Sequence, residues 1–295
     1  MRKREYIMLA HPAEEKRIQN PGPLFLCQPK LNGVRCIAEY SDEWHEWILR
    51  SSTGMIKPFL NHIKEALNHL PGHTYDGELY IHGKSWAYIN SIASRTENPS
   101  PAELELEYHI FDIKNQNHQT ARSIELNEII SFVVEREGLT PVKMVSTVGG
   151  KPDDWKQILA EFTKNGYEGI MFRKLDGMYE EKRSKNLLKF KPTLTDIYRI
   201  TDLIQGKGWC YDRLGAFEVE SKDGSRFQIG SGKTLTKENR LKYWLDRENL
   251  IGKYILVKHE YLVTANNLPQ CAVALEVLTD SQVEAFRKKK HEDLL

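Results

Sequence analysis

The sequence is short of the features that mark several common protein classes. Its four cysteines, Cys27, Cys36, Cys210 and Cys271, show neither CxxC nor mixed Cys/His spacing. This gives no zinc-site pattern, and their scatter makes no disulfide framework, so a reducing cytosol is the expected setting. Charge of one sign is also lacking. Forty-two basic residues stand against forty-one acidic ones for a net charge of +1, so any basic surface must come from local clustering. Long apolar runs are missing. MRKREYIMLA begins like a signal peptide, but charged HPAEEKR follows it, and no later stretch has the length of a membrane span. Repeats and low-complexity segments are absent as well. With 40% hydrophobic and 28% charged residues over 295 positions, the chain has material for one large core or two modest ones.

Periodicity supplies the elements. Leu60, Ile63, Leu67 and Leu70 recur at helical spacing before Pro71-Gly72. A second helix is predicted over 121–136, with Leu126, Ile129, Ile130, Val133 and Val134 as its buried stripe. A third follows Pro152, capped by Asp153, with Trp155, Ile158, Leu159 and Phe162 inside. LFLCQPK, GVRCIAEY, YDGELYI, YHIFDI, EGIMFR and LLKFK are short, β-branched or aromatic, and bounded by turn residues, as strands are. After Lys191-Pro192 come IYRITDLIQ, AFEVES and RFQIGSG, a helical TKENRLKYWLDREN, then KYILVKHEYL and CAVALEVL. Five strands around one helix match an OB-fold barrel in size and order, although the same elements could build another small barrel. The expectation is an α+β chain with antiparallel sheets in a domain over 1–192 and an OB-fold over 193–295.

Chemistry concentrates in a few charged positions. In KLNGVR, Lys30 stands in a turn with Arg35 five residues on and a glycine between them. A lysine is nucleophilic only when deprotonated, so its ordinary pKa of about 10.4 must fall through nearby cations or desolvation. LLKFKP supplies such cations: alternation puts Lys189 and Lys191 on one strand face and Leu188 and Phe190 on the other. Asp76 and Glu78 share a face in YDGELY, and Glu168 opens EGIMFR. Carboxylates around a lysine and phosphates suit a Mg²⁺ site and hydrogen bonds to ribose.

KLNGVR, RSSTG, YDGELY, HIFDI, EGIMFR and LLKFKP, in that order over roughly residues 8–192, resemble the nucleotidyltransferase motifs of ATP-dependent DNA ligases, RNA ligases and mRNA capping enzymes. PLFLCQPKLNGVRC and GKGWCYDRLGAFEVESKDGSRFQIGSG are similar to segments of the compact DNA ligases of phages and bacteria. The resemblance implies a cytoplasmic monomer that uses ATP and Mg²⁺ and acts on nicked duplex DNA. By the same resemblance, Lys30 would be the adenylated nucleophile, with Lys189 and Lys191 on the α-phosphate. Gln28, Arg35, Arg50, Glu78, Phe111 and Glu168 would form the nucleotide site, Phe111 stacking on adenine and Glu78 on the ribose. Arg35 and Arg50 would also reach the nick phosphate, Glu168 and Glu78 would hold the metal, and Lys182, Arg183 and Lys185 would meet DNA. RNA ligase, capping-type nucleotidyltransferase and a non-catalytic OB-fold nucleic-acid module are the competing expectations.

Two departures from the family pattern stand out. Asn32 replaces the aspartate usual in KxDGxR, and no Arg or Lys occurs between Lys258 and Arg287, where a basic RxDK-type motif is expected. Lys253, Lys258 or the run Lys288–Lys290 are the candidate substitutes.

Overall fold

A computed structural model describes residues 7–13, 18, 25–137, 141–151, 153–221, 223–260, 268–269 and 271–292. The chain divides into two compact units, Met1–Lys191 and Pro192–Leu295, and the fold is α+β.

The strands of the first unit are β1 (Leu9–Pro12), β2 (Phe25–Lys30), β3 (Val34–Ser41), β4 (Glu46–Ser51), β5 (Tyr75–Tyr80), β6 (Glu107–Ile113), β7 (Val142–Met144), β8 (Val148–Gly150), β9 (Gly169–Lys174) and β10 (Arg183–Phe190). They form two five-stranded sheets, β1-β10-β9-β2-β8 and β4-β3-β5-β6-β7. Each sheet breaks the expected antiparallel pattern with one parallel pair, β1 with β10 and β6 with β7. Parallel pairing needs a long crossover, and the helix Gln119–Glu137 supplies it between β6 and β7.

That helix buries Leu126, Ile130 and Val133. Ile129 packs at the edge of the same core, and Val134's side chain lies outside the described residues. The core of the β5 sheet also takes Ile63 and Leu67 from the helix Asn61–Leu67, and Ile89, Ile92 and Ala93 from Trp86–Ala93. The β2 sheet packs instead on the helix Trp155–Lys164 through Trp155 and Phe162. Asp154, not Asp153, occupies the cap position of this helix, with no side-chain capping bond.

The second unit is OB-like. Its strands β11 (Thr193–Gln205), β12 (Leu214–Glu220), β13 (Arg226–Ile229), β14 (Tyr254–Glu260) and β15 (Val273–Leu278) run in the order β13-β12-β11-β14-β15. The long β11 gives residues 193–199 to β14 and 199–205 to β12, with register breaks in its second half. Bulges of this kind let one strand turn a barrel corner. A parallel bridge from Gly232 to Ala274 ties the chain beyond β13 to β15. The predicted single helix is two pieces, Lys237–Leu245 and Arg247–Leu250, parted at Asp246. Among the described residues no helix is long and apolar enough to cross a membrane.

Candidate active site

A cavity of about 180 Å³ opens in the first unit where β2, β9 and β10 of one sheet approach β3, β5 and β6 of the other. Gln28, Lys30, Arg35, Glu78, Phe111, Arg173, Arg183 and Lys189 line it, residues more than 150 positions apart in sequence.

Lys30 ends β2, in register with Gly169 of β9. The Glu168 backbone N–H donates to the Lys30 carbonyl at 3.0 Å, which fixes the two side chains together. A Cβ on Gly169 would lie 2.2 Å from the Phe190 carbonyl oxygen, so only glycine lets β9 and β10 approach this closely here. The buried Glu168 carboxylate receives Lys30 Nζ on one oxygen and Lys191 Nζ on the other. Lys30 Nζ also donates to the Leu31 carbonyl at 3.2 Å. Burial first, and then the charges of Lys30, Lys191 and Arg183, hold the Lys189 amine below its ordinary range, against a smaller opposing effect of Glu168.

On the facing wall the Gly33 N–H donates to Glu78 Oε1 at 2.7 Å. Burial raises the Glu78 carboxyl, while Lys30, this N–H and Arg35 pull it down and Glu168 adds a smaller upward push. Arg35 is committed to a two-pronged pair with buried Asp76, Nε to Oδ1 at 2.6 Å and Nη2 to Oδ2, and Tyr179 donates to the same carboxylate at 2.7 Å. Asp76 is therefore a counter-ion behind the pocket rather than a second open carboxylate beside Glu78. The Phe111 ring has the Arg35 and Arg173 guanidinium carbons 4.6 and 5.1 Å from its centroid.

Several predicted residues lie elsewhere or are already occupied. Gln28 is 3% exposed. Its amide donates to the Phe111 carbonyl and Thr147 Oγ1 and accepts from Arg173 Nε at 2.6 Å, so it shapes the wall with its hydrogen-bonding groups in use. Arg50 is not in this pocket. It pairs with Glu39 at 3.2 Å and faces a separate cavity of about 360 Å³ beside Ile7, Ile37, Ser51 and Gly54. Of the three basic residues expected at DNA, Arg183 lines the pocket and donates to the Ala10 carbonyl at 2.5 Å. Lys182 is exposed and pairs with Glu180 at 2.8 Å, and Lys185 is exposed.

Sequence reasoning missed the network beneath the pocket. Asp112, fully buried, takes Arg122 Nε at 2.8 Å and Arg173 Nη1 at 2.7 Å, and Gln119 Oε1 receives Arg122 Nη2 at 2.6 Å. The signal was present: an aspartate and an arginine inside apolar strand runs must find partners once buried.

The residues fit a nucleoside triphosphate, because Lys30, Lys189 and Lys191 gather cations beside an aromatic face and an apolar wall. The fit to a metal is narrower. Among the described residues no group of three or more His, Cys, Asp or Glu side chains could hold an ion. A Mg²⁺ ion would be held by Glu168 or Glu78 together with the triphosphate, whose charge it would offset.

Residues 7–191 match the ATP dependent DNA ligase domain and residues 205–277 the DNA ligase OB-like domain. A DNA ligase of African swine fever virus (isolate Tick/South Africa/Pretoriuskop Pr4/1996) is 29% identical over 269 residues, covering 85% of this chain and 62% of the relative. The chain thus spans about six tenths of the length of that viral protein. A DNA ligase of Haemophilus influenzae (strain ATCC 51907 / DSM 11121 / KW20 / Rd) is 24% identical over 233 residues, covering 78% of this chain and 80% of the relative. The fold is shared with a solved structure described as one of the Lig E DNA ligases, with a TM-score of 0.73 and 23% identity over 92% of this chain and 99% of that one.

Proposed function

The chain belongs to the ATP-dependent DNA ligase family, and from this we propose that it seals 5′-phosphate/3′-hydroxyl nicks in duplex DNA with ATP, through a covalent adenylate on Lys30. The single observation that carries the reading is Lys30 and Lys191 converging on the two oxygens of buried Glu168, with Lys189 beside them.

In the first step the Lys30 amine attacks the α-phosphate of ATP and pyrophosphate leaves. Glu168, bonded to that amine, is the nearest base to receive its proton. Lys189 and Lys191 oppose the charge that builds on the phosphoryl oxygens. AMP then passes to the 5′-phosphate of the nick, and the adjoining 3′-hydroxyl attacks that phosphate and expels AMP. Phe111 offers its ring to adenine, and Glu78 its carboxylate to the ribose. Mg²⁺, when bound, neutralises triphosphate charge and polarises the phosphoryl group.

Incubation with α-labelled ATP and Mg²⁺ tests the reading. The expected result is an acid-labile protein adduct and a sealed nick, both lost in Lys30→Ala. An adduct surviving that substitution shows the nucleophile to be another residue, and no adduct with either ATP or GTP in the wild type leaves only a nucleic-acid-binding module. Labelled GTP and a nicked RNA strand, run alongside, separate capping-type and RNA-joining chemistry. Lys253 and Lys258 are exposed, whereas Lys290 is held by Asp196 at 2.5 Å. Without the C-terminal basic motif, adenylation from ATP should be slower than sealing of a pre-adenylated nick. Lys258→Ala should slow only the former if Lys258 has taken over its role.

A further inference from the structure

The OB-like unit shows two largely exposed aromatic rings. Trp209 is 66% and Tyr211 65% exposed, both on the turn between β11 and β12. A lone exposed ring is ordinary. Two rings flanking a buried residue, Cys210, on a rigid turn are a built feature.

The turn is held by its own backbone. Gly206 N–H donates to the Arg213 carbonyl at 2.9 Å, Tyr211 N–H to Gly208 at 3.0 Å and Arg213 N–H to Cys210 at 3.0 Å. From beneath, buried Arg240 donates to the carbonyls of Leu214, Gly215 and Gly230 at 2.7–2.8 Å. Its guanidinium lies 6.0 Å from the Trp209 ring, and Lys237 Nζ lies 5.8 Å from the same ring. Lys237 and Arg240 thus put two cations near the Trp209 ring, and the turn that carries the rings adds Lys207 and Arg213 against Asp212 in sequence.

Flat rings among cations match nucleic acid, whose bases offer π-faces and whose backbone is anionic. Within continuous duplex those faces are covered by stacking. We propose that Trp209 and Tyr211 form a base-stacking contact that selects DNA with an unstacked base, at a gap, a frayed end or a single strand, over continuous duplex. This rests on the ligase reading for the identity of the nucleic acid.

The test uses the full chain as wild type, as the double variant Trp209→Ala/Tyr211→Ala, and as Trp209→Phe/Tyr211→Phe. Fluorescence anisotropy measures binding to a labelled single strand, a duplex with a single-nucleotide gap and a continuous duplex. The alanine pair should weaken single-strand and gapped binding by about ten- to a hundredfold and leave continuous duplex nearly unchanged. The phenylalanine pair should restore most of the loss, which a folding defect would not allow. Wild-type affinity of the alanine pair for the single strand, or an equal loss on all three substrates, overturns the proposal. Labelling with ATP, run on the same preparations, reads the Lys30 chemistry, in which the two rings take no part. A failed adduct with ring-dependent binding sinks the ligase reading and leaves this contact standing, and a normal adduct with ring-independent binding does the reverse.

Discussion

The two units treat charge in opposite ways. The first buries Asp76, Asp112, Arg122, Glu168 and Arg173 behind and around one cavity. The second buries a core of Ile200, Phe217, Val219, Ile255 and Val257, and its buried cation Arg240 meets backbone carbonyls rather than a carboxylate. Phe111, 9% exposed, and Trp209, 66% exposed, each have two cations near the ring, so the two aromatics differ in exposure rather than in charged neighbours. A pocket proposed to hold phosphates and a nucleophile at fixed separations needs charges locked by other charges, whereas a surface proposed to meet a polymer can rely on an apolar scaffold with exposed side chains.

Removal of a counter-ion should expose the difference between the units most strongly. Asp112→Ala leaves Arg122 and Arg173 buried without their carboxylate, a loss of about 3–5 kcal/mol. Arg240→Met leaves only neutral carbonyls unmet, about 1–3 kcal/mol. Urea unfolding of both variants checks the order, and a larger loss for Arg240→Met would show that the barrel depends on its buried charge as heavily as the pocket does.

Next in size is Phe111→Ala, expected to raise the ATP concentration needed for adenylation by an amount on the order of 1–3 kcal/mol. Titration of labelled ATP against adduct yield reads it, and an unshifted curve would mean that adenine sits elsewhere. Lys182 and Lys185 are exposed on the first unit, and the proposed function gives them to DNA. Their change to Gln should lower the salt slope of nick binding by about 0.9 for each DNA phosphate that the lysine had neutralised. Salt-independent affinity in the wild type would remove both from the DNA surface.

The smallest effect concerns buried Lys57, which donates to the Ala93 carbonyl at 2.6 Å. Burial lowers its pKa, with Cys36 opposing. Between that lowered value and the ordinary one near 10.4, the unfolded chain binds the additional proton, so this group makes stability rise with pH. Lys57→Met should flatten that alkaline rise relative to wild type. Parallel profiles for the two proteins would show that the amine stays charged in the fold.

Much of this was legible in the sequence because strands and helices advertise their periods. Alternation in LLKFKP placed Lys189 apart from Leu188 and Phe190, and the apolar stripe after Pro152 named Trp155 and Phe162. Pairing across the sheets was not legible. That Arg35 closes on Asp76, that Gln28 spends its amide on Thr147 and Arg173, and that Arg50 faces a different cavity depend on register between distant strands. Short strands such as Val142–Met144 and Val148–Gly150 carry too few residues to show a period.

The bare backbone at Gly169 has a consequence for how damage to this protein would be read. Any larger residue there would wedge β9 from β10 at the point where Lys30, Glu168 and Lys191 meet. The clash is with backbone, the Phe190 carbonyl and the Lys191 Cα, so the strands themselves would have to shift, and no reacting group would be altered. A screen scoring activity alone would then place Gly169 among the reacting groups, although the lesion is one of spacing.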